Sequence, residues 1–65
     1  MFKAICAEVV NMGECWTLYI HLQKFNDNEY TKVNAGNFDN KIAAINEAEE
    51  YWSVSYDNII VSNHI

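Results

Sequence analysis

The stretch CWTLYIHLQKF, residues 15–25, constrains the fold of this chain more than any other. Trp16, Leu18, Ile20 and Leu22 alternate with Thr17, Tyr19, His21 and Gln23. A period of two sends these two sets to opposite faces of a β-strand. A strand with one apolar face needs hydrogen-bonded neighbours and something to cover that face. The rest of the sequence has to supply both.

The first neighbour is FKAICAEVV, residues 2–10, apolar and β-branched enough for a strand. Gly13, in NMGE, can take the positive φ of a tight connection, so an antiparallel hairpin is expected. Two registers compete. A three-residue loop, 11–13, with Gly13 in a bulge places Val10 opposite Glu14 and Cys15 opposite Val9, and sets Phe2, Ala4 and Cys6 beside the Trp16 face. A two-residue loop, 12–13, sets Ile5, Ala7 and Val9 there instead, because a one-residue slip exchanges the faces. Met-Gly suits the two-residue turns poorly, which favours the bulged loop. Both faces of the first strand are apolar, as a central or interface strand requires.

NDNE, residues 26–29, reads as a turn and YTKVNA, residues 30–35, as a short third strand. Gly36 and Asn37 break the chain. NFDNKIAAINEAEEYW, residues 37–52, is then the one helix, with Asn37 as N-cap and Asp39 in the first turn. At 100° per residue Phe38, Ile45 and Trp52 line up, flanked by Ile42 and Ala48, to pack on the sheet. YDNIIVSN, residues 56–63, holds the last strand. The expected fold class is α+β: a small antiparallel sheet of three to four strands, order β-β-β-α-β, with one helix on one face. Residues 1–65 form a single small domain.

A domain this small buries only about 60% of its unfolded surface and needs support. Yet 51% of the residues are hydrophobic and 14% aromatic, a surplus suited to a homodimer interface or a partner site. The net charge is −5, with four Lys and no Arg, which argues against direct nucleic-acid binding. The acidity is uneven: residues 1–33 carry three Lys and four acids, residues 34–65 only Lys41 and five acids. Nine Asn with no Arg and no Pro fits an AT-rich bacterial or phage genome. No apolar run suits a membrane span and the N-terminus lacks a signal-peptide layout, so the expected location is the cytoplasm of a bacterial host.

Chemistry-bearing motifs are sparse. Cys6 and Cys15 are not opposite one another in either register, so two free thiols are expected rather than a disulfide. His21 and His64 add no close ligand pair for zinc. His21 with Glu8 or Thr17 is a chance hairpin trio, and no phosphate loop or nucleophile motif occurs. The chain reads as no enzyme, with no cofactor and no metal. The candidate partner-binding residues are instead Asp39, Glu47, Glu49, Glu50, Tyr51 and Trp52 of the helix, with Tyr19 as further aromatic surface. Charge would steer the encounter and the aromatic rings would supply affinity.

Residues 35–62 resemble small phage host-takeover inhibitors, such as the small RNA polymerase inhibitors of short-tailed coliphages. The resemblance lies in Phe38-Asp39 opening an Ala- and Glu-rich helix that ends in Tyr51 and Trp52, followed by a β-branched strand at residues 59–61 after an Ala35-led break. It implies a compact protein that binds and blocks a host protein with a basic surface, such as a nucleic-acid-handling or defence enzyme. The alternatives are an oligomeric binder of a small nucleotide signal, with Lys3, Lys24 or Lys32 beside its pocket, and an antitoxin-like structural partner.

Overall fold

The computed structural model describes residues 2–24 and 29–63. Four strands and one helix follow in the order β1 (Phe2–Asn11), β2 (Trp16–Lys24), β3 (Tyr30–Phe38), α1 (Lys41–Glu50) and β4 (Ile59–Asn63), with a 3-10 turn at Tyr56–Asn58 before β4. This is the expected α+β arrangement, and the sheet order is β3-β2-β1-β4. Most of the turn expected at 26–29, Phe25 at the end of the second strand and the candidate zinc ligand His64 lie outside the described residues.

The sheet is mixed rather than antiparallel throughout. β1, β2 and β3 pair antiparallel, but β4 runs parallel to β1. β3 and β4 occupy opposite edges, and the chain joins them by a crossover through α1. Parallel alignment needs such a long connection.

The hairpin adopts neither expected register. Asn11 faces Trp16, Val9 faces Leu18 and Ala7 faces Ile20, across a four-residue connection. Asn11 Oδ1 accepts from the Gly13 amide at 2.9 Å, Gly13 sits at φ 99°, and the Met12 amide donates to the Cys15 carbonyl at 2.9 Å. The physical reason lies at Glu8. The expected bulged loop would have turned Cys6 and Glu8 toward the Trp16 face, burying a carboxylate without a partner. The observed register buries Ala7 and Val9 completely and leaves Glu8 on the other face. A bulge at Ile5 then returns Ala4 to the core side, opposite Leu22. Cys15 therefore sits in the connection rather than opposite Val9. Cys6 faces His21, and both cysteines are free and half-buried.

β3 extends three residues beyond its expected end. Gly36, at φ 122°, and Asn37 continue the strand instead of breaking it, with a bulge at Ala35. Asn37 is consequently not the N-cap. Its Oδ1 accepts from the buried Thr17 hydroxyl at 2.8 Å. Asn40 caps the helix, its Oδ1 accepting from the Ala43 amide at 2.8 Å. Asp39 precedes the cap and lies outside the first turn.

The buried side of the helix keeps Ile45 and Ala48 of the expected stripe and exchanges Ile42 for Ala44. Ala44, Ile45 and Ala48 are buried against Ala7, Val9, Leu18 and Ile20, while Ile42 is 62% exposed. Ala7, Ala44 and Ala48 have no bulk to hold the layers apart, so α1 lies close on the sheet. Phe38 and Trp52 flank this core and are half-buried. The helix ends without Gly or Pro because Ser53 takes a left-handed φ of 58°. The Val54 amide then reaches back to the Ala48 carbonyl at 3.0 Å.

Candidate functional site

Two surfaces carry the side chains of functional interest, and they lie on opposite sides of the sheet. The first is the outward side of α1. Ile42, Asn46, Glu49 and Glu50 recur at the spacing of one helical stripe and are all exposed. Asp39 is exposed just before the helix, and Tyr51, 72% exposed, stands just after it. Glu47 is half-buried on the flank.

Among the described residues, Lys32 and His21 both lie near Glu8, and no carboxylate of the α1 region is paired with a cation. Lys41 is the sole cation in residues 34–65. The result is an acidic surface with two uncovered apolar side chains, Ile42 and Tyr51. Uncompensated charge of one sign attracts the opposite sign over roughly a Debye length, about 8 Å at physiological salt.

Trp52 differs from the other helix candidates. Its ring packs against the core and meets Tyr51 edge-on, with centroids 5.3 Å apart and planes at 70°. Its Nε1 is buried with no acceptor among the described residues. Trp52 supports Tyr51 from below more than it presents a surface of its own.

Tyr19 does not join this group. It lies on the open face of the sheet, away from α1, with Lys32 Nζ 4.6 Å from its ring centroid. Glu8 Oε1 is 3.9 Å from Lys32 Nζ and 3.7 Å from His21 Nε2. The register explains the cluster: Glu8 faces Tyr19, and His21 faces Lys32 in the next row. The Glu8–Lys32 pair is partly solvated and at the outer limit of ion pairing, so it contributes less than about 1 kcal/mol to stability. Beside them Glu8, Val10, Met12, Tyr19, Lys32, Ser62 and Asn63 line a concavity of ≈ 420 Å³.

Among the described residues, no group of three or more His, Cys, Asp or Glu side chains is placed to hold a metal ion. No helix among them is long and apolar enough to cross a membrane.

The surface expected from the sequence was Asp39, Glu47 and Glu50 with Tyr51; Asp39, Glu50 and Tyr51 are exposed there, Glu47 is half-buried, and Glu49 and Ile42, the latter assigned to the core, are exposed beside them. Ile42 lies in the first turn after the Asn40 cap, three residues later than the expected cap at Asn37. Lys32 over Tyr19 had no sequence signature, because it depends on the β2–β3 register.

No family model matches this chain, and no curated protein or solved structure matches it either.

Proposed function

We propose that the chain is a non-enzymatic inhibitor of phage or mobile-element origin. It acts in the bacterial cytoplasm by docking the acidic side of α1 on a basic surface of a host protein. A nucleic-acid-handling or defence enzyme is the expected class of target, since such proteins carry basic grooves. One observation supports this reading above the others: Glu49 and Glu50 are exposed and unpaired beside uncovered Ile42 and Tyr51. Long-range charge speeds encounter, and exposed aromatic and aliphatic side chains supply the short-range affinity.

The test is capture from a bacterial lysate at low and at physiological salt, with the purified chain and its Glu49→Lys, Glu50→Lys variant as baits. A stoichiometric basic protein held by the native chain and lost by the variant is the expected result. The absence of any such protein at either salt would overturn the proposal.

The concavity beside Lys32 and Tyr19 supports a second reading, a binder of a small anionic ligand. Binding there would depend on Lys32 and would be indifferent to the α1 substitutions.

A further inference from the structure

The two edges of the sheet are built differently. β3 carries Lys32, a bulge at Ala35 and Gly36 at φ 122°. Charge and bulges of this kind keep an edge strand from pairing with another chain. β4 has none of these protections: Ile59–Asn63 reads IIVSN, with no charge and no Pro, and its pairing with β1 is regular. Its register with β1 puts Ile60 on the open face and Val61 on the helix face. Both are exposed, at 62% and 45%. α1 packs mainly over β1, β2 and β3; in β4 Ile59 packs against the core, while Ile60 and Val61 stay exposed. Exposed Tyr56 lies just before β4, and exposed Met12 shares the concavity with Ser62 and Asn63.

We infer that β4 is a homodimer edge, at which two copies of this chain pair antiparallel across a two-fold axis to form one eight-stranded sheet. Three observations select a second copy over a different protein. First, the strand is self-complementary. A two-fold pairing that keeps the faces matched sets Ile60 opposite either Ile60 or Ser62 of the second copy. Val61 then meets Ile59 or Val61 of that copy. No charge meets a like charge within Ile59–Asn63 in either register. Second, a chain of net charge −5 repels its own copy at most approaches, and β4 is the uncharged place where two copies can meet. Third, a second subunit is a usual source of stability for a domain of this length. The dimer leaves the outward side of α1 free, so it is independent of the inhibitor reading.

The test is the mass of the full chain in solution by sedimentation equilibrium, from low to high micromolar concentration. Twice the chain's 7.5 kDa is expected for the native chain, and a folded monomer for Ile60→Lys. A Glu49→Lys control is expected to remain dimeric. Should Ile60→Lys fail to fold, hydrogen exchange of the native chain decides. Protection of the Ile59–Asn63 amides that rises with concentration is the expected result; protection independent of concentration overturns the inference. A monomer at every concentration also overturns it. So does a dimer that survives both Ile60→Lys and Val61→Lys.

Discussion

Ile42 and Ile45 stand three residues apart on one helix, and truncating each to alanine separates the observed helix phase from the one its periodicity suggests. Ile45 is 7% exposed and packs on the central strands; Ile42 is 62% exposed. Both changes are chemically identical, and both gain the same small helix propensity of about 0.4 kcal/mol, so the difference between them reports burial alone. Full burial of an isoleucine side chain stabilises by about 1.5–3 kcal/mol, and emptying a packed site adds a cavity cost. Ile45→Ala should therefore lose about 2–4 kcal/mol. Ile42→Ala removes roughly a third of that transfer term and leaves no cavity, so its net loss should be under about 0.7 kcal/mol. Total stability at this length is expected to be only about 3–10 kcal/mol, so the first change consumes a large part of it. Urea unfolding followed by tryptophan fluorescence, with Trp16 and Trp52 as reporters, reads both values. Equal losses, or a larger loss for Ile42→Ala, would refute the placement of α1.

Three further outcomes follow from particular side chains. Thr17→Val removes the hydrogen bond to Asn37 but leaves Asn37 free to turn to water, so urea unfolding should show a loss of about 1 kcal/mol; a loss above about 3 kcal/mol would contradict this. Trp52→Phe deletes a buried N–H that has no acceptor among the described residues. The relief of about 1–3 kcal/mol should offset most of the lost packing, leaving stability nearly unchanged, and a large loss would mean that the N–H is satisfied. Ser53→Gly relieves a left-handed residue and should be neutral or stabilising by up to about 1 kcal/mol, whereas Ser53→Val should lower the melting temperature.

The sequence was most legible where periodicity was strict. The alternation in residues 15–25 located β2 and its buried face, and apolar residues on both faces of residues 2–10 marked β1 as central. Legibility failed where small residues or polar side-chain hydrogen bonds decide. Ile45 and Ala48 lie on the core side of α1 as expected, but the small Ala44 completes that side, where the larger Ile42 had been expected to flank the stripe. Three asparagines could each have stopped or capped an element. Only the geometry distinguishes Asn37, which receives Thr17, from Asn40, which caps α1, and from Asn34, whose Oδ1 accepts from the Gly36 amide. The parallel β1–β4 pairing was illegible for a different reason, since no local pattern records which edge a crossover reaches. On the candidate surface the acidic residues were readable from charge alone, and the alternation within β2 already set Tyr19 on the face away from the helix.

The central claim is that the acidic side of α1 binds a basic protein surface, and a salt titration of the captured complex tests it most directly. Affinity of the purified partner would be measured for the native chain and for the Glu49→Lys, Glu50→Lys variant from low to physiological ionic strength. The account predicts native affinity that falls steeply as salt rises, and a variant that has lost binding at every salt while unfolding at the same urea midpoint. A variant that binds as tightly as the native chain, with the same salt dependence, would contradict it.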